Sequence, residues 1–281
     1  MRKANPMPFE LRGHAVSTGL WGGGDDDGAR VLALHGFTGS GADFGPLVRG
    51  CSGAVSFLAP DLPGHGAYRA PGPSFFYGFD AARAVVRATR EHAGWLRPSL
   101  LGYSMGARVA LDLAVASPEA VSSLILIGGR PGLEAAEERE ARMQADECLA
   151  EELERDGVQG FLQRWQAQPL IASQARIGEP YRGEMLLRRQ RADGLGWARS
   201  LRALGTGAME PLWGKLGTLT CPVLLVVGEE DQKFLAIAEQ MHALMPSSEL
   251  VVIAGEVGHA AHLEDPVTTG REVEAFLGRL V

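Results

Sequence analysis

Hydrophobic residues along this chain gather in short runs that are apolar at nearly every position, not at every second one. We predict buried strands at six of these runs: Val31–His35, Val55–Pro60, Ser99–Tyr103, Ser122–Ile127, Val223–Val227 and Leu250–Ala254. An alternating run has one solvent-facing side, whereas a continuous apolar run is typical of parallel strands covered on both faces. The pattern therefore predicts a mostly parallel sheet with helices on both sides.

Helical periodicity fills several of the gaps between these runs. Apolar positions recur at helical spacing in Phe79–Ala93, Ala107–Ala116, Leu235–Leu244 and Val267–Leu280. Strands that alternate with helices imply a doubly wound α/β sheet. An additional pair of strands is predicted within Phe9–Leu20, followed by a loop at Gly22–Gly28 with three adjacent aspartates. Calcium loops space their ligands along the chain, so this loop is interpreted as solvated and not as a cation site.

A long stretch without clear strands separates the fourth apolar run from the fifth. It holds a charged helical pattern at Glu134–Arg155 and shorter ones at Phe161–Trp165, Tyr181–Arg191 and Leu195–Leu204. We interpret this stretch as a helical cap inserted into the sheet domain. The predicted division is a core of residues 1–129 and 206–281 with a cap of residues 130–205.

The third apolar run leads into the pentad Gly102-Tyr103-Ser104-Met105-Gly106, which fits the pattern G-x-S-x-G, and a helical pattern follows it. Strand, sharp turn and helix are the setting in which this pentad forms a nucleophile elbow. The glycines let two backbones pass closely, and the helix N-terminus favours negative charge developing on the serine. The alternative is a glycine-rich turn with an incidental serine. Whether Ser104 is catalytic therefore depends on whether the chain supplies an acid and a base as its partners.

A serine hydroxyl becomes a useful base or nucleophile when a histidine takes its proton and an acid orients that histidine. In this kind of fold the chain order is serine, acid, histidine. Asp231 follows the strand predicted at Val223–Val227 and is the candidate acid. His259 follows the last predicted strand and is the candidate base. The rivals nearby are Glu229 and Glu230 for the acid and His262 for the base.

An oxyanion hole needs two N–H donors that point at one position. We predict the backbone N–H groups of Met105, next to the serine, and Phe37, after the first core strand, in this role. His35 precedes the serine in the chain and is interpreted as a structural hydrogen-bonding residue. The turn Asp61-Leu62-Pro63-Gly64-His65-Gly66 is interpreted as scaffold, in which the carboxylate accepts hydrogen bonds from loop N–H groups.

Composition narrows the range of partners. The 281 residues carry a formal net charge of −7, so the overall field does not favour nucleic acid. No run is long and apolar enough to insert into a membrane. The three cysteines, Cys51, Cys148 and Cys221, show no metal-binding or disulfide spacing, which is typical of a cytoplasmic protein. The oligomeric state is left open by the sequence.

Together these residues resemble the α/β-hydrolase superfamily, over nearly the whole chain. The cap and its edges look like those of the MenH family, the 2-succinyl-6-hydroxy-2,4-cyclohexadiene-1-carboxylate synthases of menaquinone biosynthesis. The matching pieces include His35-Gly36-Phe37-Thr38-Gly39-Ser40, Tyr103, Arg108, Pro131-Gly132-Leu133, Glu138-Arg139, Arg142, Phe161 to Trp165, Pro169-Leu170, Gly205-Thr206-Gly207, Pro211-Leu212-Trp213 and Lys233-Phe234.

This resemblance implies a lyase that eliminates pyruvate from an enolpyruvyl-bearing cyclohexene carboxylate, without a metal or organic cofactor. The triad would act as a base and would form no acyl-enzyme. The resemblance assigns the substrate carboxylates to Arg108, Arg142 and Arg189, with Arg188 and Arg191 as neighbours that cannot be told apart from Arg189. It also assigns pocket-lining roles to Tyr103 and Trp165.

The position of Arg108 supports a substrate role independently, since it lies one helical turn after Ser104 and can share its face. Guanidinium groups bind carboxylates well, although surface ion pairing in a glutamate-rich cap is the alternative for the cap arginines. The expected substrate is a small polycarboxylate. Two other functions compete with the lyase: a serine carboxylesterase or thioesterase acting on carboxylate-bearing substrates, and a binding module without activity.

Overall fold

Ten strands and ten α-helices lie in the part of the chain that the computed structural model describes, residues 5–11, 14–22, 28–51, 55–68 and 72–280. The strands are β1 (Asn5–Pro6), β2 (Phe9–Leu11), β3 (His14–Val16), β4 (Thr18–Trp21), β5 (Ala29–Leu34), β6 (Val55–Pro60), β7 (Ser99–Tyr103), β8 (Leu124–Ile127), β9 (Val223–Gly228) and β10 (Ser248–Ile253). The helices are α1 (Gly45–Gly50), α2 (Phe79–His92), α3 (Met105–Ala116), α4 (Ala136–Gln166), α5 (Pro169–Ala172), α6 (Tyr181–Gln190), α7 (Gly194–Leu204), α8 (Gln232–Leu244), α9 (Ala261–Glu264) and α10 (Pro266–Gly278).

Eight of the described strands form one sheet in the order β1-β4-β6-β5-β7-β8-β9-β10. The pairs β1–β4 and β4–β6 are antiparallel, and the other neighbouring pairs in that order are parallel. The carboxyl ends of parallel strands meet at one edge of a sheet, where ligand sites of such folds form. The loops that follow β5, β7, β8, β9 and β10 therefore share one edge.

The side chains of β5 show why its run is apolar throughout. Leu32 and Leu34 lie in a buried cluster that includes residues of α2, α3 and α8. Val31 and Ala33 lie in a second buried cluster that includes residues of α1 and α10. Both faces of the strand are thus covered by helices, and apolar side chains are needed at successive positions. The predicted doubly wound, mostly parallel sheet is confirmed.

The N-terminal strands differ from the prediction. A pair of strands was expected within Phe9–Leu20, but three strands form there, and only β2 and β3 pair with each other. β4 joins the main sheet next to β6, because Thr18 and Trp21 are buried there against the sheet's core. Most of the aspartate-bearing loop predicted at Gly22–Gly28, residues 23–27, lies outside the described residues.

Helices α4 to α7 lie between β8 and β9 in the chain, where the cap was expected. The helical patterns predicted at Glu134–Arg155 and Phe161–Trp165 correspond to the two helical parts of α4, which meet at Gly157, where the backbone leaves the helical conformation with φ 68° and ψ 178°. The cap helices pack around a buried cluster that includes Leu153, Phe161 and Trp197. The cap therefore has its own apolar centre, while its exact division from the core at residues 130 and 205 stays a prediction.

Candidate active site

Ser104 stands at the sharp turn between β7 and α3, with φ 50° and ψ −105°. A positive φ is unusual for a residue with a side chain and stores local strain. A side chain at Gly102 would bring its Cβ to 2.5 Å from the Cα of Ala107, and one at Gly106 would overlap the carbonyl oxygen of Leu34. The two glycines of the pentad are therefore required by close backbone contact, as a nucleophile elbow requires.

Ser104, His259 and Asp231 form one chain of hydrogen bonds. The Nε2 atom of His259 lies 2.9 Å from Ser104 Oγ, and its Nδ1 atom lies 2.6 Å from Asp231 Oδ2. His259 and Asp231 are 3% and 6% exposed, so this chain is shielded from water. Because an ionised carboxylate can only accept, Nδ1–H donates to Asp231 and leaves the Nε2 lone pair facing the serine hydroxyl. This arrangement can take a proton from Ser104.

The rival residues lie elsewhere. Glu230 pairs with Arg176, and Glu229 accepts a hydrogen bond from the Gly255 N–H at 2.7 Å. His262 is buried, and its ring centre lies 4.3 Å from that of Tyr103. None of these hydrogen bonds reaches the serine. The geometry thus selects the predicted acid and base from among their neighbours.

The space around the imidazole of His259 is narrow. The rings of Phe234 and Tyr103 lie 4.4 and 5.3 Å from it, centre to centre. Gly128 follows β8 with φ 58°, and a Cβ there would lie 2.6 Å from His259 Cε1. These contacts hold the ring in its orientation toward Ser104.

A cavity of about 110 Å³ opens beside Ser104, between the sheet edge and the cap. Among the residues that line it are seven that the sequence predicted: Phe37, Tyr103, Ser104, Met105, Arg108, Arg142 and Trp165. Met105 is the first residue of α3, so its N–H is one of the helix's free donors, and Phe37 follows β5. The predicted oxyanion-hole donors thus lie on the same cavity as Ser104, and their role stays a prediction.

Positive charge dominates one side of this cavity. Arg108 is buried and donates to the Leu204 carbonyl oxygen at 2.5 Å. Burial, together with the charges of Arg142 and Arg130, lowers the pKa of Arg108 to about 9. Arg142 pairs with the buried carboxylate of Asp146 at 2.9 Å. An anionic ligand would relieve the mutual repulsion of these guanidinium groups, which an apolar ester pocket would not contain.

Comparisons with known proteins agree with this geometry. The sequence model described as the alpha/beta hydrolase family matches residues 31–270. The chain is 35% identical over 247 residues to a Bacillus subtilis (strain 168) protein that is provisionally named 2-succinyl-6-hydroxy-2,4-cyclohexadiene-1-carboxylate synthase, which covers 88% of this chain and 89% of that protein. It is 31% identical over 255 residues to the synthase of the same name from Serratia proteamaculans (strain 568), which covers 90% and 95% respectively.

This chain belongs to the alpha/beta hydrolase family and, within it, to the MenH synthases. A solved structure of MenH from S. aureus aligns with a TM-score of 0.87 at 28% identity and covers 94% of this chain and 98% of that one. The resemblance stated from the cap motifs and the elbow is therefore confirmed. The expected fold is confirmed with it.

One residue predicted for the substrate pocket of this MenH-family chain lies outside it. Arg189 does not line the cavity beside Ser104. Its Nη1 donates to Gln174 Oε1 at 3.0 Å, and Gln174 Nε2 donates to Tyr103 Oη at 3.4 Å. Arg189 is thus one hydrogen bond from Gln174 and two from Tyr103, both of which line the cavity, because the buried face of α6 points it at Gln174. Burial lowers the pKa of Arg189.

The two neighbours of Arg189 take different positions. Arg188 pairs with the buried Asp43 at 2.7 Å, and Arg191 is exposed. Both line a separate cavity of about 410 Å³ that also contacts Arg189 and contains no triad side chain. The geometry therefore brings none of these three arginines to Ser104.

The residues predicted as scaffold behave as such. His35 accepts from the Leu62 N–H through Nε2 at 2.9 Å, and its Nδ1 lies 2.8 Å from the Gly36 carbonyl oxygen. Burial lowers the pKa of His35, which keeps the ring neutral. Asp61 accepts from the N–H groups of Gly41 and Ala67, both at 2.9 Å. These bonds tie the loop after β5 to the loop after β6 and so fix the position of Phe37.

Several residues that line the cavity were not predicted as site residues, among them the polar side chains of Arg130, Gln174 and Ser200. Arg130 comes two residues after Gly128 at the carboxyl end of β8, a position that is itself a signal for a site residue in this kind of sheet. Gln174 lies in a short turn of the cap, Ser173–Arg176, where no pattern marked it.

The residues for which the structure gives coordinates contain no cluster of His, Cys, Asp and Glu that could hold a metal ion. Within the same residues, no helix has the length and apolar character needed to cross a bilayer. Cys51, Cys148 and Cys221 all lie within the described residues and form no disulfide there; Cys148 is exposed, and the other two are buried.

Proposed function

We propose that this protein eliminates pyruvate from 2-succinyl-5-enolpyruvyl-6-hydroxy-3-cyclohexene-1-carboxylate, with Ser104, His259 and Asp231 as the proton-abstracting machinery. The observation that carries the proposal is the cavity that Ser104 shares with the guanidinium groups of Arg108 and Arg142. Its relatives are named for the product of this reaction. A polycarboxylate ligand suits a cavity with excess positive charge, and an aryl or alkyl ester does not.

The positions of the double bonds in substrate and product define the proton that must leave. The ring double bond of the substrate lies at C3, and those of the product lie at C2 and C4. The C2 proton, which is acidified by the adjacent succinyl carbonyl, is therefore removed. Its electron pair forms the C2–C3 double bond, the C3–C4 pair moves to C4–C5, and the C5–O bond breaks to release the enolate of pyruvate.

The triad supplies the base for this step. His259 Nε2 takes the Ser104 hydroxyl proton, and Ser104 Oγ then takes the C2 proton from the ring. Asp231 stabilises the imidazolium that forms. The N–H groups of Phe37 and Met105 hold the negative charge that develops on the succinyl carbonyl oxygen. The imidazolium returns its proton to the leaving enolate, so protons and electrons balance without a cofactor.

Carboxylate binding positions the ring over Ser104. Arg108 and Arg142 bind substrate carboxylates, and Tyr103 and Trp165 form the walls of the cavity. Fixed guanidinium groups bind such carboxylates through two parallel hydrogen bonds, which sets the orientation of the ring as well as its affinity.

A direct assay tests the proposal. Purified protein is mixed with the enolpyruvyl cyclohexene substrate, and pyruvate is measured with lactate dehydrogenase and NADH. Release well above the rate with an equal amount of Ser104→Ala protein is the expected result. Absence of that difference, together with rapid hydrolysis of 4-nitrophenyl acetate by the unaltered protein alone, would refute the lyase.

The second candidate is a carboxylesterase or thioesterase, which the hydrogen-bonded Ser104–His259 pair would serve equally well as a nucleophile. The two functions differ in covalent chemistry. The lyase leaves Ser104 unmodified, whereas the hydrolase passes through an ester of Ser104. Intact-protein mass spectrometry after rapid acid quench during turnover distinguishes them, with the unmodified mass expected. A binding module without activity would not need an assembled triad.

A further inference from the structure

Arg130 lines the cavity beside Ser104 from a direction different from that of the predicted arginines. It follows the carboxyl end of β8, whereas Arg108 lies on α3 and Arg142 on the cap helix α4. Side chains from the core sheet, the elbow helix and the cap thus bring three guanidinium groups to one small space. Gly128 and Gly129 precede Arg130, and Gly128 packs against His259, so the segment that carries Arg130 is held beside the triad.

Arg130 makes fewer and longer polar contacts than expected for an arginine that stabilises the fold. Within the described residues it donates one hydrogen bond, from Nη2 to the Gly132 carbonyl oxygen at 3.4 Å, a long distance. Its Nε–H is buried and has no hydrogen-bond partner. No described carboxylate lies within ion-pair distance of it. A partly buried guanidinium group with so few partners leaves most of its donors available.

The charges around Arg130 do not balance. Burial and the positive charge of Arg142 lower the pKa of Arg130, and Glu138 only partly opposes them. Asp146 is paired with Arg142, and the charge of Arg108 also acts on it. Three guanidinium groups are therefore opposed by two carboxylates, Asp146, which is paired with Arg142, and Glu138, whose charge acts on Arg130. Such an excess of buried positive charge is costly unless a ligand supplies negative charge.

We propose that Arg130 determines specificity in this site by binding a carboxylate of the substrate, as a third guanidinium group beside Arg108 and Arg142. The inference rests on the proposed function, because it concerns the same cavity and the same substrate. That substrate carries three carboxylates, on its succinyl, ring and enolpyruvyl groups. The cavity then offers three guanidinium groups for three carboxylates, and Lys233 lines it as a further basic residue.

The test compares Arg130→Gln and Arg130→Lys with the unaltered protein. Arg130→Gln should raise KM for the substrate about 10- to 100-fold and change kcat less than about 3-fold, since a charge-assisted, two-bonded contact is lost from binding. Arg130→Lys keeps the positive charge but lacks the planar pair of N–H donors of a guanidinium group. Its KM should lie between those of the unaltered protein and Arg130→Gln. Arg155→Gln, on the exposed surface of α4, removes the same charge outside the cavity and should leave KM unchanged.

A binding measurement separates this inference from the proposed function. Isothermal titration with succinate, and with the neutral succinamide as a comparison, should show binding of succinate that Arg130→Gln weakens about 10-fold or more. If the unaltered protein releases pyruvate but Arg130→Gln changes neither KM nor succinate affinity, the Arg130 role is refuted and the lyase stands. If it releases no pyruvate but binds succinate through Arg130, the lyase is refuted and the anion site stands.

The folded state of the variants provides the last control. Arg130 has so few contacts that Arg130→Gln should keep its melting temperature within about 2 °C of the unaltered protein. A large fall in melting temperature for both Arg130→Gln and Arg130→Lys, with KM unchanged in the folded fraction, would identify Arg130 as a structural residue and overturn the proposal.

Discussion

Ser104 and His259 are 155 residues apart in the chain, and the serine hydroxyl oxygen lies 2.9 Å from His259 Nε2. This contact is possible because β7 and β10 end at the same edge of the sheet, with β8 and β9 between them. Asp231, which follows β9, completes the hydrogen-bond chain from the intervening strand. The function therefore depends on strand order as much as on the three residue types.

Replacing either end of this pair should abolish most of the turnover. In Ser104→Ala and His259→Ala the pyruvate-release rate is expected to fall about 10²- to 10⁴-fold, the range for loss of a positioned base. The melting temperature should change little in Ser104→Ala, because the serine is partly exposed, and should fall in His259→Ala, because the buried Asp231 carboxylate loses its hydrogen bond from His259. His242→Ala, on the exposed surface of α8, is the matched histidine control. Retention of most activity in either triad variant would reject the assignment.

Replacing Arg108 should weaken the binding of substrate. Arg108→Gln removes a cavity-lining guanidinium group and should raise KM about 10- to 100-fold, with Arg108→Lys in between. Steady-state kinetics and thermal melting are measured on the same preparations. Arg87→Gln, on the exposed face of α2, controls for the lost charge. An unchanged KM with a lowered melting temperature would instead make Arg108 a packing residue, held by its bond to Leu204.

Arg189 should influence the site only through Gln174. Removing one such hydrogen bond is worth about a kcal/mol, so Arg189→Met and Gln174→Leu should each raise KM roughly 3- to 10-fold. If the effect of Arg189 passes through Gln174 to Tyr103, the double variant should be no worse than the more impaired single variant. Additive effects in this cycle would mean that Arg189 binds substrate directly, as the family resemblance implies.

The case of Arg189 shows what the sequence could not provide. The elbow, the acid and the base were predictable because each follows an apolar run, and parallel strands bring their carboxyl ends to one edge. Arg189 lies on a cap helix whose rotation depends on packing, so three nearby arginines could not be separated. Gln174 became visible only with the tertiary structure. The positions of the core strands were predictable because burial on both faces makes their sequences apolar throughout. The N-terminal strands were not, because their pairing depends on which strands lie next to them in the folded protein.

The elbow glycine should be intolerant of even one methyl group. In Gly106→Ala the new Cβ would overlap the Leu34 carbonyl oxygen of β5, so the backbone must move. We expect a loss of about 3 kcal/mol or more in the free energy of unfolding, measured by urea titration. Gly178→Ala is the matched control, because a Cβ there meets nothing within 4 Å, and it should change stability by less than about 0.5 kcal/mol. Equal stability of the two variants would contradict the close contact.

Acid should destabilise the fold partly through His262. Burial is the main cause that lowers the pKa of His262 to about 3, from an ordinary value of 6.5. Below pH 6.5 the His262 imidazole therefore binds a proton in the unfolded chain but not in the folded protein. The free energy of unfolding falls as the pH drops from 6.5 toward 3. Between pH 6.5 and pH 5 this residue alone should cost about 2 kcal/mol.

His262→Phe isolates this contribution. The variant keeps an aromatic ring against Tyr103 and Phe44, and it also keeps the buried His35 and His65, whose pKa values burial lowers as well. Urea unfolding at pH 7 and pH 5 should therefore show an acid-induced loss that is smaller in the variant by about 2 kcal/mol. Because the comparison uses the change with pH in each protein, a packing defect common to both conditions cancels. An identical loss in the two proteins would mean that His262 titrates at its ordinary pKa in the folded state.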